Sequence, residues 1–355
     1  MKHRRILIVK PSSLGDIVHT LPLAHALKRC WPDCRIGWIV QQVFAPLLAA
    51  DASIDRIYPI HIPSTSEPQA GRSAWLTAFS ATLKTLRGLR RQLQAEPYDL
   101  ILDLHASLRS GLLGRCNPGG LRLGFADAKE LNTLFQQQLV AVPADVRHAQ
   151  DKNLLFCQQL GLSVTAADFH LRCGAADREA AQAFLRETDA AGKRVVHANP
   201  AARWQTKFWP QERWAELADR LQGQGLAVVF GGSGQDAAYL DGIVRLMRSP
   251  TVIAAGRLSL PQAAALIAQS ALHIGLDSGP MHIAALAGVP VAALFGPTHP
   301  ERVGPYGVQH RIIRAESLSC LECRKRSCSH LSCMRGISVP MVYEAALSLL
   351  ELSES

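Results

Sequence analysis

The chain opens with a run of residues, 5 to 19, that reads Arg5-Ile6-Leu7-Ile8-Val9-Lys10-Pro11-Ser12-Ser13-Leu14-Gly15-Asp16-Ile17-Val18-His19. The stretch 5–9 is mostly apolar and has the length of a buried strand, whereas apolar residues recur with helical spacing over 17–27. A short turn with Gly15 and Asp16 lies between them. A strand, a tight turn and a helix in this order predict the first unit of a doubly wound α/β domain.

The same alternation continues along the chain. Predicted strands occupy 5–9, 36–40, 56–60, 100–104, 194–197, 226–230, 252–254, 272–274 and 291–294, and predicted helices occupy 17–27, 75–93, 175–187, 261–269, 281–287 and 338–351. A polar stretch at 63–73 predicts a loop. The fold class is therefore α/β, with parallel sheets covered on both faces.

The alternation of predicted strands and helices stops near 160–174 and then resumes. This predicts two Rossmann-like domains, 1–173 and 174–337, followed by a helical segment at 338–355. In open α/β sheets, ligands bind beyond the carboxyl ends of the strands. Two such domains facing each other would form a central cleft, so the polar turns after the strands are the candidate site.

Composition narrows the class of protein. The chain has 355 residues, of which 48% are hydrophobic, and it carries a net charge of +9. No apolar run reaches the ~20 residues of a membrane span, and Lys10 ends the first apolar run too early for a signal peptide. We therefore predict a cytoplasmic protein. The charge favours an anionic partner, and because the basic residues are dispersed, we predict that nucleic acid is not that partner.

Asp16 stands at the tip of the first predicted strand, and the residues alone leave two interpretations open. Asp is a favoured helix N-cap, and a strand-to-helix turn needs a residue such as Gly15. A carboxylate at this place in the cleft can instead remove a proton from an acceptor hydroxyl. His19, one turn later, could support it or be a surface residue.

A second turn, after the strand at 194–197, contains Arg203, Thr206 and Lys207. The two cations suit a diphosphate and the threonine can donate a hydrogen bond to it. A basic surface loop without function is the alternative interpretation.

The third motif is Asp277-Ser278-Gly279-Pro280-Met281-His282, between a predicted strand and a predicted helix. Backbone N–H groups at a helix N-terminus form an anion site, and His282 lies one turn inside the helix. Asp277 can accept hydrogen bonds from sugar hydroxyls. A glycine-rich turn at 231–236 lacks the Gly-Lys-Ser/Thr of a Walker loop, and we interpret it as lying near the donor nucleotide.

Taken together, these motifs resemble glycosyltransferase family nine, the lipopolysaccharide heptosyltransferases. The resemblance spans nearly the whole chain, and rests on the stretches 8–19, 98–104 with His105 and Arg109, 277–282 and 295–298. It implies a GT-B fold and an inverting transfer that needs neither metal nor cofactor. It also implies ADP-L-glycero-D-manno-heptose as donor, and as acceptor the lipopolysaccharide inner core on lipid A, at the inner face of the inner membrane.

The resemblance also assigns roles by position. It implies Asp16 as the general base, and it implies donor contacts by Thr206, Lys207, Asp277, Ser278, Gly279 and His282. Acceptor contacts are expected from Ser12, Ser13, His105 and Arg109. The final helix is expected to pack back on the N-terminal domain. Two departures stand out: the turn at 231–236 lacks a Glu that some members carry, and His105 stands where a Gln is frequent.

Four of the nine cysteines form a cluster, spaced C-x2-C-x4-C-x4-C, at Cys320, Cys323, Cys328 and Cys333. C-x2-C pairs allow two thiolates to reach one ion, so a structural metal or redox site is one interpretation. The second pair is spaced more loosely than in a zinc knuckle, so a reduced loop that packs the end of the domain is the alternative. Neither interpretation places the cluster in the chemistry.

Three rival functions remain open. A glycosyltransferase with another nucleotide-sugar and acceptor would keep the same parts. A nucleotide-sugar epimerase would need further acid and base groups within the donor site, and the sequence offers one candidate carboxylate per domain. A non-catalytic sugar-phosphate binding protein would not depend on Asp16. The sequence leaves the oligomeric state open.

Overall fold

The computed structural model describes residues 4–62, 72–316 and 318–352, with the side chains of 72–79 outside the description. The predicted loop at 63–73 therefore lies almost wholly outside the described residues. The chain divides into two compact units, Met1–Asp168 and Phe169–Ser355. This division falls close to the predicted boundary at 173/174.

The first unit contains one parallel sheet with helices between its strands. Its strands are β1 (Arg5–Val9), β2 (Arg35–Gln41), β3 (Arg56–Ile60), β4 (Leu100–Asp103), β5 (Leu121–Phe125) and β6 (Gln138–Val140). Its helices are α1 (Leu14–Val18), α2 (Leu21–Cys30), α3 (Ala45–Leu48), α4 (Arg72–Ala95), α5 (Leu108–Gly114) and α6 (Ala149–Gln159).

The second unit repeats this plan. Its strands are β7 (Val195–Asn199), β8 (Ala227–Phe230), β9 (Val252–Ile253), β10 (Leu272–Leu276), β11 (Val291–Leu294) and β12 (His310–Ile313). Its helices are α7 (Ala175–Arg186), α8 (Gln211–Gln222), α9 (Ala237–Val244), α10 (Leu260–Ala268), α11 (Gly279–Leu286), α12 (Pro300–Val303), α13 (Ser332–Arg335) and α14 (Val339–Leu352).

The two sheets share one strand order. Across the described residues, the first sheet runs β3-β2-β1-β4-β5-β6 and the second, read from its other edge, runs β9-β8-β7-β10-β11-β12. This is the doubly wound order. The first three strands of each unit are added towards one edge of the sheet and the last three towards the other edge, so the strand order reverses between the first and fourth strands. This confirms the predicted α/β fold of the GT-B type. The reversal points lie between β1 and β4 and between β7 and β10, which is where such sheets bind ligands.

The central strands are buried because both faces of each sheet are covered. Ile6, Leu7, Ile8 and Val9 of β1 are all fully buried, as are Leu100, Ile101 and Leu102 of β4. Continuous apolar runs of this kind are typical of parallel strands. The first apolar run is therefore a core strand, as predicted.

Two features differ from the sequence prediction. The helix predicted over 17–27 is two helices, α1 and α2, because α1 ends at Val18 and α2 starts anew with Pro22 in its first turn. Strands β5, β6 and β12 were not predicted. Each is short, and β5 carries an arginine and a glycine in the sequence Leu-Arg-Leu-Gly-Phe, which masks its apolar pattern.

The last helix, α14, contributes its apolar face to the second unit. Its buried residues Val342, Ala346, Leu349 and Leu350 belong to the same core cluster as Val196 of β7. That the final helix packs back on the N-terminal domain stays a prediction. The described part of the chain contains no helix long and apolar enough to cross a membrane.

Candidate active site

Lys10 follows β1 directly and marks the reversal point of the first sheet. Its side chain is buried, and its Nζ donates to the backbone oxygen of Leu104, the residue after β4, at 2.7 Å. The charge is thus fixed between the carboxyl ends of the two central strands. Lys10 is not among the predicted site residues, although a lysine placed directly after a fully apolar strand indicates such a position.

Asp16 is the third residue of the short helix α1, whose N-cap is Ser13 and not Asp16, and its role as a base stays a prediction. Its Oδ2 accepts from the backbone N–H of Ser13 at 2.9 Å and from the Ser13 Oγ at 2.7 Å, which is a capping-box arrangement. Its Oδ1 lies 3.6 Å from the Nζ of Lys10, and 43% of the side chain remains exposed. The carboxylate therefore caps the turn while it still faces solvent.

The surroundings keep Asp16 ionised. Burial on its own raises the pKa of the Asp16 carboxyl, but Lys10 and the two hydrogen bonds from Ser13 outweigh it and hold that pKa well below its usual range. A proton acceptor must be deprotonated before the reaction begins, and Asp16 meets this condition at every pH near neutrality.

Two histidines, His105 and His19, lie close enough to Asp16 for their charges to interact with it. The ring of His105 interacts with the backbone of Ser12 and with the charge of Lys10, and burial first, then that charge, holds the pKa of His105 below its ordinary value. Arg109 is half-buried in the first turn of α5. His19 is buried beside His148, with ring centroids 5.4 Å apart.

Asp103, at the end of β4, shapes the turn that carries His105. Its Oδ1 accepts from the backbone N–H groups of His105 and Ala106 at 3.1 Å each, and its Oδ2 accepts from Asn132 at 2.7 Å. The side chain is almost fully buried, so it is a structural carboxylate and not a second acid or base.

In the second unit, Lys207 and Asp277 form the centre of the site. The Nζ of Lys207 donates to Asp277 twice, to its backbone oxygen at 2.8 Å and to its Oδ2 at 2.7 Å. Asp277 follows β10, and Lys207 ends a 3-10 turn at Gln205–Lys207, 70 residues earlier in the sequence. The contact therefore joins two of the predicted motifs at the reversal point of the second sheet.

Trp204, which is not among the predicted site residues, packs against this lysine. Its ring lies 4.9 Å from the Nζ of Lys207 and 5.0 Å from the guanidinium carbon of Arg326. Cations at this distance from an indole face are attracted by its π electrons. Thr206, a predicted diphosphate ligand, donates its hydroxyl to the backbone oxygen of Lys325 at 2.9 Å, so that hydroxyl is engaged within the protein.

The loop at 277–282 begins helix α11 as predicted. Ser278 is the N-cap and its Oγ donates to Leu276 at 3.2 Å, while Pro280 removes one of the N–H groups that a helix N-terminus would offer an anion. The Nε2 of the buried His282 lies 3.9 Å from the Oδ1 of Asp277. The carboxylate of Asp277 thus lies between Lys207 and His282, near both of them.

Two polar atoms near the ends of the strands of the second sheet are buried and make no hydrogen bond within the described residues. They are the Oδ1 of Asn199, the last residue of β7, and the Oγ1 of Thr298, just after β11. Buried polar atoms normally have a partner, which can be a ligand or water. Both positions are on the carboxyl-end side of the sheet.

The glycine-rich turn at 231–236 repeats the Asp16 arrangement. The Oδ2 of Asp236 accepts from the backbone N–H of Ser233 at 2.8 Å and from its Oγ at 2.7 Å. Gly231 is required by packing, since a Cβ there would lie 2.2 Å from the Nε2 of His197. These contacts give the turn a structural role.

The four clustered cysteines, with Thr206 and His330, line one small cavity of about 30 Å³. All four are free thiols. No three His, Cys, Asp or Glu side chains of the described residues are already grouped as metal ligands. The cavity reaches the turn of Lys207 through Thr206, but Lys207, Asp277 and His282 do not line it.

Comparison with known proteins decides the family. The model of glycosyltransferase family 9 (heptosyltransferase) matches residues 86–333, which is more than half of the chain. The chain belongs to glycosyltransferase family 9. As a member of family 9 it is a glycosyltransferase enzyme, which confirms the resemblance drawn from the motifs.

Relatives of this family 9 enzyme match along most of its length. It is 30% identical to lipopolysaccharide heptosyltransferase 1 of Escherichia coli strain K12 over 321 residues, which covers 88% of this chain and 93% of that protein. The crystal structure of the glycosyl transferase family 9 from Veillonella parvula superposes with a TM-score of 0.82 at 25% identity, covering 99% of this chain and 98% of that one. A heptosyltransferase of E. coli solved with ADP superposes with a TM-score of 0.66 at 26% identity, covering 90% of this chain and 96% of that one.

Proposed function

We propose that this family 9 enzyme transfers a heptose from ADP-L-glycero-D-manno-heptose to the inner core of lipopolysaccharide, with inversion at the anomeric carbon. The observation that carries the proposal is the ion pair of Lys207 and Asp277 at the reversal point of the second sheet. It supplies a fixed cation where a nucleotide diphosphate would leave. The names of the curated relative and of the ADP-bound neighbour support heptose, lipopolysaccharide and ADP as the sugar, acceptor and nucleotide.

The proton acceptor in this proposal is Asp16. The acceptor hydroxyl gives its proton to the exposed carboxylate, its oxygen forms a bond to the anomeric carbon, and the bond from that carbon to the diphosphate breaks. Because Oδ2 is held by Ser13, the Oδ1 atom is the one available for the proton. Lys10, 3.6 Å away, keeps the carboxylate charged before the transfer.

The leaving group is stabilised from the second unit. The diphosphate gains negative charge as the bond breaks, and a preorganised cation lowers the energy of that state. Lys207 has three N–H donors, of which two are directed at Asp277. We propose that the third binds a phosphate oxygen, with the Gly279 N–H and His282 alongside. Asp277 then acts by positioning Lys207, a role the sequence analysis had not given it.

A lysine that neutralises the diphosphate does the work that a divalent ion does in other transferases, which supports a metal-independent reaction. The unpartnered Oδ1 of Asn199 and Oγ1 of Thr298 are further candidates for donor contacts, since both are buried at the carboxyl ends of their strands. Each could bind a hydroxyl of the nucleotide or sugar.

A lipid-linked acceptor would bring the enzyme to a membrane surface, and α4 offers a suitable face. Its exposed basic side chains are Lys84, Arg87, Arg90 and Arg91, whereas Leu89 and Leu93 face the core. No acidic residue lies in this helix. We propose that this basic face contacts the anionic lipids of the inner membrane's inner surface.

The test is a donor screen. Purified protein is incubated with heptose-deficient lipopolysaccharide and with ADP-heptose, a UDP-sugar or a GDP-sugar, and release of the nucleoside diphosphate is followed. We expect release with ADP-heptose that depends on the acceptor. Conversion of the donor without an acceptor would indicate an epimerase, and binding without turnover would indicate a sugar-phosphate binding protein.

A further inference from the structure

We propose that four exposed leucines of the first unit enter the hydrocarbon edge of an anionic membrane surface and anchor the enzyme there. They are Leu108, Leu112, Leu131 and Leu134, and we refer to them as the leucine patch. The inference deepens the proposed membrane contact of the basic face of α4, and it rests on that contact for the choice of an anionic surface. It adds an apolar contact that charge alone does not supply.

The first observation is the exposure of these side chains. Leu131 and Leu134 are 69% and 77% exposed, and Leu108 and Leu112 are 43% and 38% exposed. Leucine is among the residues that are most often buried, and a single exposed leucine needs no explanation. Several exposed leucines side by side are different, because contiguous apolar surface marks a site of interaction with a protein or a membrane.

The leucines lie side by side because they come from two neighbouring elements. Leu108 and Leu112 are four residues apart on α5, so they share one face of that helix. Leu131 is the N-cap of a short 3-10 turn that contains Leu134, and the N–H of Leu134 donates to the Leu131 carbonyl at 3.1 Å. The carboxylate of Glu130 joins the two elements, since it accepts from the backbone N–H of Leu108 at 3.2 Å.

The backbone that presents Leu131 is held in an unfavourable conformation. Glu130 and Leu131 have φ angles of 56° and 59°, a region that asparagine and glycine adopt more readily than leucine. Asn132 fixes the turn from within, because its Nδ2 donates at 2.7 Å both to the Oδ2 of Asp103 and to the carbonyl of Ser107. An exposed leucine in this conformation contributes little to the stability of the unit, which favours a role for it outside the fold.

Positive charge lies beside the patch. Arg115, directly after α5, is exposed and three residues beyond Leu112, so it lies on the leucine face of the helix. The next residue, Cys116, contacts α4, with its Sγ 3.6 Å from the backbone oxygen of Leu86. Arg90 of α4 lies close enough for its charge to act on the Cys116 thiol. Arg115 therefore connects the leucine patch to the basic face of α4.

An apolar patch with basic residues at its border fits an anionic membrane better than a second copy of this chain. In a two-fold dimer the same surface meets itself, so the arginines of the two copies would be brought together and repel. A membrane with anionic lipids offers negative headgroups to the arginines and hydrocarbon to the leucines.

The patch also lies at the end of the first sheet that carries Asp16. Helix α5 follows β4 and the 3-10 turn follows β5, just as Lys10 follows β1, so all three come after the carboxyl ends of parallel strands. A membrane contact here would hold this end of the sheet towards a lipid-linked acceptor.

The experiment measures binding of the full-length protein to vesicles of phosphatidylcholine and phosphatidylglycerol by co-sedimentation. Leu131→Asn combined with Leu134→Asn keeps the net charge and should weaken binding by at least ~10-fold, because two apolar side chains are lost. Asparagine tolerates the left-handed backbone at 131, so the melting temperature should not fall. Leu246→Asn combined with Leu352→Asn changes two exposed leucines of the second unit and should bind as wild type does.

Insertion into the hydrocarbon is measured separately by fluorescence. Lipids brominated in their acyl chains should quench the added tryptophan of Leu134→Trp, and they should not quench that of Leu246→Trp. Equal quenching in the two variants would overturn the proposal. So would wild-type binding by the Leu131→Asn and Leu134→Asn variant, including the case in which that variant converts a wild-type dimer to a monomer, since the patch would then bind a second copy.

The arms also separate this inference from the proposed function. If the leucine variant binds normally while Arg87→Ala with Arg91→Ala does not, the basic face of α4 stands and the leucine patch fails. If both variants bind normally, the proposed membrane contact fails with it. The measurements contain no donor or acceptor, so a failure of the proposed heptose transfer would leave them unaffected.

Discussion

The Nζ of Lys207 binds Asp277 through two oxygens, the backbone carbonyl and the carboxylate Oδ2, at 2.8 and 2.7 Å. The side chains of both residues are largely buried. A lysine held by a single carboxylate oxygen could swing away, whereas one held at two oxygens of the residue after β10 is fixed to the strand end. The pair is thus a positioned cation, and it makes the second unit the donor-binding half in our account.

We expect Lys207→Ala to weaken the binding of ADP or ADP-heptose by ~1.5 to 3 kcal/mol, because a charge-assisted hydrogen bond is lost. Asp277→Asn should weaken it less, since the lysine keeps its charge but loses its fixed place. Isothermal titration with ADP measures both. Lys193→Ala, an exposed lysine of the same unit, is the control, and equal dissociation constants for Lys207→Ala and Lys193→Ala would remove the diphosphate role.

We expect Asp16→Asn to lower kcat by ~10²- to 10⁴-fold, the range typical of a lost general base, while donor affinity stays near wild type. Asn retains the hydrogen-bond acceptor for Ser13, so the cap and the fold should survive. Asp236→Asn removes the same kind of capping carboxylate from the second unit and serves as a control for stability. If Asp16→Asn kept wild-type turnover at saturating substrates, Asp16 would be only a cap, and His19 and His105 would be the next candidates.

Two buried histidines predict a pH dependence of stability. The Nδ1 atoms of His197 and His273 lie 2.9 Å apart on neighbouring strands. Burial lowers the pKa of His197 to about 4 and holds that of His273 well below its usual value. Below pH ~6.5 the unfolded chain binds protons that the folded chain does not. The free energy of unfolding should therefore fall as the pH decreases from 7 towards 5.

The measurement is urea unfolding at a series of pH values. His197→Gln keeps a hydrogen-bond partner for His273 but removes one of the two titrating groups, so its stability should depend less steeply on pH in this range. Parallel curves for wild type and variant would show that the pair does not set the slope.

We expect the basic face of α4 to bind anionic membranes. Replacing Arg87 and Arg91 by alanine should weaken binding to vesicles that contain anionic lipid by ~2 kcal/mol, at about 1 kcal/mol for each charge. Co-sedimentation at low salt measures it. Lys193→Ala with Arg245→Ala removes two exposed charges from the second unit and should change little. Equal losses in both double variants would mean that net charge, not this helix, governs binding.

The sequence predicted the central strands well and the sheet edges poorly. Strands β1, β3 and β11 were predicted with the bounds they have, since a buried parallel strand is a continuous apolar run between turns. Strand β6 has three residues, two of them exposed, and no such run. A single helix was predicted where the structure has α1 and α2, because the apolar residues keep their helical spacing across the break between the two.

The candidate site was predicted at the level of turns and less well at the level of contacts. Lys207 and Asp277 were both selected, but nothing in the sequence shows that they bind each other, since they are joined only when β7 and β10 pair. For the same reason Lys10, which reaches across to Leu104, and Trp204, which supports two cations, were not selected. The hydroxyl of Thr206 is engaged by a carbonyl more than a hundred residues away, a partner that only the folded chain reveals.

The most direct test of the account is the mass of the acceptor. Purified enzyme is incubated, in the presence of EDTA, with ADP-L-glycero-D-manno-heptose and heptose-deficient lipopolysaccharide. The mass of the lipid product is then measured by mass spectrometry. We predict a product heavier by one heptosyl unit for wild type, and far less of it for Asp16→Asn in the same time. An acceptor of unchanged mass with ADP-heptose, together with a sugar transferred from a UDP- or GDP-sugar, would contradict the proposed reaction.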